Sequence, residues 1–179
     1  MTDARLLGED RPGIRLERHL ADPPDVVWRA LTEREQLNNW FPCDVIIDGG
    51  RWEVGASITF PFPPEVMDMT LTGEVLEVDE PNVLAFTWGE DRLRFELSAE
   101  DDGTRLVLID ELPPGAAARN AAGWERCLDR LAGIEPTPDG WQPRFEHYAA
   151  AFEPTLGPQE ARPAQEGVES DDGAQDRNA

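Results

Sequence analysis

Residues 14–20 alternate, with Ile14, Leu16, Arg18 and Leu20 on one side and Arg15, Glu17 and His19 on the other. This predicts a first strand with one buried face. The next residues, ADPPDVVWRALT, predict a helix, with Asp22 as its cap and Pro23 and Pro24 in its first turn. Val27, Ala30 and Leu31 form its apolar stripe, with Trp28 beside it. Thr32 and Glu35 have capping-box spacing and predict a second short helix, ending near Trp40 and Phe41 and stopped by Pro42. Short strands follow at 45–47 and 57–60. Met67, Met69 and Leu71 alternate with Asp68, Thr70 and Thr72 as a further strand. The adjacent apolar pair Val75 and Leu76 breaks that rhythm and predicts a bulge. Leu84, Phe86 and Trp88, then Leu93, Phe95 and Leu97, mark two more strands, and the turn EDDG leads into a last strand at 105–112. Such close spacing predicts an antiparallel meander. The period then changes to helical at Ala117, Ala121, Trp124, Leu128 and Leu131. After a break at GIEPTPDG, Trp141, Phe145, Tyr148 and Phe152 repeat it. A curved antiparallel sheet against a final helix is the simplest two-layer arrangement.

Composition sets the limits of this domain. Every Trp, Phe and Tyr lies between Trp28 and Phe152. Residues 154–179 have none, carry six acidic residues against two Arg, and are rich in Pro, Gly and Ala, so a disordered acidic tail is expected. A flexible N-terminus is expected over 1–11 and one domain over 12–153. The net charge of −21 argues against binding nucleic acid or an anionic membrane. With no apolar run long enough to span a bilayer and no hydrophobic signal core, a soluble, cytoplasmic protein is expected. All 16 basic residues are Arg, which leaves no lysine for a Schiff base or a phosphate loop.

Few residues point to catalysis. There is no GxSxG, no nucleotide-binding glycine loop and no Cys–His pair at a recognisable spacing. Cys43 and Cys127 read as inert packing, and His19 and His147 as solvated or hydrogen-bonded side chains. No ligand spacing supports a metal site, and no cofactor is expected. Asp68, Glu96, Asp110 and Glu111 lie inside predicted strands. Each sits either on a solvated face or, if turned toward a cavity, becomes a buried acid with a raised pKa; Arg94 has the same ambiguity.

Four stretches carry a family resemblance: VWRALTEREQLNNWF at 27–41, GEVLEVDEPNVLAFTW at 73–88, TRLVLIDEL at 104–112 and GWERCLDRLAG at 123–133. Together they resemble the START-like, or SRPBCC, helix-grip superfamily, and within it the Aha-type homologues of the activator of the 90-kDa heat-shock protein ATPase. The likeness spans about residues 14–152. It implies an α+β helix-grip fold: a curved antiparallel sheet of about six to seven strands wrapped around a long C-terminal helix, with two short helices after the first strand. It also implies a cavity between sheet and helix, which members use for apolar or aromatic small molecules; a minority are cyclases or other enzymes. Trp40, Phe41, Met67, Met69, Phe86, Trp88, Trp124 and Leu128 are the residues expected to line it, and a filled core is the alternative. The expected function is non-catalytic binding of a hydrophobic or aromatic small molecule by a monomer or homodimer. One alternative is an Aha-like module regulating a chaperone or other ATPase in a stress response. Another is a cyclase-like or hydrolytic enzyme using a cavity carboxylate.

Overall fold

A computed structural model describes residues 4–8, 12–135 and 137–162. Its chain order is β1 (Arg5–Leu6), β2 (Gly13–Leu20), α1 (Pro24–Thr32), α2 (Arg34–Leu37), β3 (Ile46–Ile47), β4 (Ser57–Pro61), β5 (Thr70–Asp79), β6 (Val83–Trp88), β7 (Asp91–Glu100), β8 (Gly103–Glu111), α3 (Ala117–Leu131) and α4 (Gln142–Leu156). The strands form one curved antiparallel sheet in the order β1-β2-β8-β7-β6-β5-β4-β3. This is the α+β helix-grip arrangement that the sequence resemblance implies.

The inner face follows the period of two. Ile14, Leu16 and Leu20 of β2, Leu84 and Phe86 of β6, Leu93, Phe95 and Leu97 of β7, and Leu106 and Leu108 of β8 are all buried. The sheet register shifts between Val75 and Glu77, at the bulge the adjacent apolar pair predicts. Gly73 of β5 is glycine because a Cβ there would lie 1.9 Å from the Thr87 carbonyl oxygen. Helix α3 lies against the inner face. Ala117, Ala118, Ala121 and Ala122 are fully buried, so its first half approaches the sheet closely, while Trp124 and Leu128 fill the space beyond.

The C-terminal helical stretch is two helices, and α4 packs on the back of α3. A buried charged network joins them. Asp129 of α3 accepts from Arg18 of β2 at 2.6 Å and from Arg144 of α4 at 2.8 Å. Tyr148 donates to Glu125 at 2.6 Å and accepts the Ala4 amide at 3.0 Å. Strand, helix pair and N-terminal segment are thereby tied together by buried hydrogen bonds.

Several local expectations are corrected. The strand at 14–20 is the second, because Arg5 and Leu6 pair with Arg15 and Ile14. Ala4 is buried, so residues 4–8 are placed by pairing that composition does not reveal. Pro23, not Asp22, is the N-cap of α1, and the Asp22 carbonyl instead accepts from Thr104. No capping box forms at α2: Glu33 takes the cap position and the Thr32 hydroxyl donates back to the Trp28 carbonyl at 2.8 Å. Strand β5 begins at Thr70, so Met67 and Met69 lie on the approach to it. The expected tail is helical through Leu156. It then crosses the start of α3, where Gln159 accepts from the Ala118 amide and donates to the Pro114 carbonyl. The rest of that tail, 163–179, and residues 1–3 and 9–11 lie outside the described residues.

Candidate functional site

Large rings from the α2–β3 connection, the sheet and α3 meet under the helix. Phe41 lies 5.5 Å from Trp40 and 5.5 Å from Trp124, centroid to centroid, and 6.4 Å from Phe86. Trp88 stands 5.3 Å from Trp124. Trp40, Phe41, Phe86, Trp124 and Leu128 are all buried. Directly beneath Trp124 and Leu128, where a hollow is expected, these rings pack on one another at ordinary aromatic separations.

Open space lies at one end of the ring stack instead. A cleft of about 430 Å³ is lined by Phe62, Met67, Met69, Leu71 and Trp88 and by Trp141, the N-cap of α4. Of the eight residues singled out in the sequence, Met67, Met69 and Trp88 reach this cleft and five stand behind it. Its polar end comes from the β6–β7 hairpin, with Glu90 and Asp91, and from the first turn of α3, with Arg119 and Asn120. Ala161 of the crossing tail closes one side.

That end contains two acids with perturbed titration. Asp110 of β8 pairs in register with Leu93, and Asp91 lies two residues from Leu93 on the same strand face. The two carboxyls thus share the inner face. Asp110 is fully buried. Trp124 Nε1 donates to its Oδ2 at 2.8 Å, and its Oδ1 has no hydrogen-bond partner among the described residues. Burial, with the Asp91 charge adding, pushes the Asp110 carboxyl well above the usual range, and the Trp124 hydrogen bond opposes this only in part. Asp91 is half-buried. Burial raises it to about 6, against the Arg119 charge and with the Glu90 charge. Two like charges so placed disfavour joint ionisation.

Arg119 faces two ways. It bears on Asp91, and it also holds the tail through Glu160 at 3.5 Å and the Arg162 carbonyl at 3.2 Å.

The other candidate residues lie elsewhere. Asp68 is exposed. Glu96 and Arg94 form an ion pair at 2.7 Å, and Arg94 also reaches Glu77; all three line a hollow of about 590 Å³ that Glu111 shares, on the outer face of the sheet. His19 is exposed, 3.6 Å from Glu100, and the exposed His147 lies edge-on to Tyr148. Burial pushes the Cys43 and Cys127 thiols up to about 12, which suits packing rather than reactivity. Among the described residues, no group of His, Cys, Asp and Glu could hold a metal ion, and no helix is long and apolar enough to cross a membrane.

Residues 21–134 match the family model described as Activator of Hsp90 ATPase homolog 1-like protein. The chain belongs to that family. Among solved structures it is similar to the conserved protein of unknown function EF2215 from Enterococcus faecalis, at 26% identity and TM-score 0.69 over 86% of this chain and 91% of that one. CalU16 from Micromonospora echinospora is 26% identical with TM-score 0.64, over 86% and 96%. DynU16, a putative protein in the dynemicin biosynthetic locus, shares the fold at 24% identity and TM-score 0.55, over 66% of this chain and 45% of its own. No curated protein sequence matches.

Proposed function

We infer that this family member binds a hydrophobic, ring-bearing small molecule in the cleft beside Trp88, without covalent chemistry. The observation that carries this reading is an open space of about 430 Å³, within the size range of small-molecule sites, with thioether and aromatic walls and a few polar groups at one end. Unbranched Met67 and Met69 adapt to ligand shape, and Trp88 and Trp141 offer ring faces. The buried thiols, and histidines that stand away from the cleft, give a nucleophilic reaction no agent there.

Thermal melting against fatty acids, polycyclic aromatics and flavonoids tests this. A ligand at about a hundred times its dissociation constant adds about 2.7 kcal/mol to the folded state, which raises the midpoint by about 5–10 °C in a chain of this size. Met69→Trp, which fills the cleft from its wall, should abolish the shift. No shift across the panel, or an undiminished shift in the variant, would refute the reading.

A further inference from the structure

We propose that Asp91 is the polar anchor of the cleft and accepts a hydrogen bond from a hydroxyl group on an otherwise apolar aromatic ligand. This rests on the small-molecule reading above and says which chemistry the cleft selects. Three observations carry it. Asp91 lines the cleft and is half-buried there, whereas the neighbouring Glu90 is exposed. Behind it, Asp110 is fully buried with one oxygen held by Trp124 and the other without a partner among the described residues. In front, Arg119 lies in the same cleft, bears on Asp91 and is itself held by Glu160.

The charges facing Asp91 decide the ligand type. Glu90 comes from its own hairpin, Asp110 from β8 and Arg119 from α3. The carboxylates of Asp91 and Glu90 disfavour an anionic ligand at this end. Arg119 already supplies the counter-charge, so a second cation gains little. A neutral donor meets neither objection. A hydroxyl on an aromatic ring can place its O–H at Asp91 while the ring lies between Met67, Met69, Trp88 and Trp141.

The probes are 2-naphthol and 2-methoxynaphthalene, which differ in whether the oxygen can donate. Binding is followed by tryptophan fluorescence between pH 5 and pH 8. The wild type should bind 2-naphthol about tenfold more tightly than the ether at pH 7.5, as expected for a hydrogen bond to a charged acceptor. The preference should shrink as pH falls through about 6, where Asp91 takes up a proton. In Asp91→Ala the two affinities should converge through loss of the naphthol advantage. Asp91→Asn keeps the side-chain shape and should show a smaller preference without the pH dependence. Equal affinities in the wild type, or a naphthol preference that survives in both variants, would overturn the anchor and leave the cleft as an apolar binding site. Failure of both probes to bind the wild type would overturn the cleft reading itself.

Discussion

Replacing Asp91 by Asn should make this protein more stable, and only above the ordinary range of aspartate titration. Asp91 is raised from 3.8 to about 6, burial being the largest cause and Glu90 adding to it against Arg119. A displacement of that size corresponds to about 3 kcal/mol by linkage. The side chain is only half-buried, so water screens part of this, leaving about 2 kcal/mol. The sign follows from which state holds the proton. Between pH 4 and pH 6 the folded protein keeps a proton that the unfolded chain has released, so wild-type stability falls as pH rises through this window and levels off above it. Asn cannot ionise and has no such loss. It also removes the charge that bears on Asp110, which acts in the same direction. Urea unfolding followed by tryptophan fluorescence should give equal stabilities at pH 3.5. At pH 7.5 the variant should lead by about 2 kcal/mol, or about 4–8 °C in melting temperature. A variant less stable than wild type at pH 7.5, or a gap that does not change with pH, would show that Asp91 is not a strained acid and would refute the reasoning.

Three further outcomes are expected. Arg18→Met leaves Asp129 with Arg144 alone in a buried setting and should cost about 3 kcal/mol in urea denaturation. Burial pushes the Asp129 carboxyl up, but the Arg144 and Arg18 hydrogen bonds overcome it and hold it below its usual range, so the gap between variant and wild type should narrow as pH falls below about 4. Trp124→Phe removes the indole N–H that donates to Asp110 and should destabilise by about 2 kcal/mol at neutral pH. Adding Asp110→Leu should restore much of that loss, since both polar partners are then gone; a double variant weaker than the single one would contradict it. Ellman's reagent should leave Cys43 and Cys127 unmodified in the native protein at pH 8, where a thiol at about 12 is ionised in about one molecule in ten thousand. Labelling at the rate of a free thiol would count against that burial.

Strand and helix positions were legible because period two and period 3.6 are strong signals where one face is apolar, as in Leu93, Phe95 and Leu97 or in Trp124, Leu128 and Leu131. The facing of Asp110 was not legible. In the run Leu106, Val107, Leu108, Ile109 both parities are apolar, so alternation alone does not say which side is inside. The pairing of Leu93 with Asp110 across β7 and β8 decides it. Asp91 was missed altogether, although it continues the parity of Leu93, Phe95 and Leu97, because it stands before the first apolar residue of that series. Trp141 was seen only as part of a helical rhythm. Its place in the cleft depends on how α4 packs on α3, a contact that no local pattern encodes. The packed rings under α3 have the same origin: residue types gave the rings, and only packing shows that four of them, with Leu128, stand against one another there.

The two buried charge clusters of this fold call for different explanations. Arg18, Asp129, Arg144, Glu125 and Tyr148 connect a strand, two helices and the N-terminal segment, and each carboxylate has a partner from another element. Such a cluster has a structural reason to exist, because it fixes how α4 and residues 4–8 dock. Asp91 and Asp110 connect neighbouring strands that the β7–β8 backbone ladder already joins. Their charges oppose one another, and Asp110 leaves an oxygen unsatisfied inside the core. A leucine at position 110 would continue the inward series of Leu106 and Leu108 at no such cost. Where a sequence departs from the residue its own pattern favours, without a structural gain, the departure points to a ligand-facing role. Here it falls beside a cleft whose other walls are apolar, which is why the polar end of that cleft, rather than the packed rings, is the place to look for selectivity.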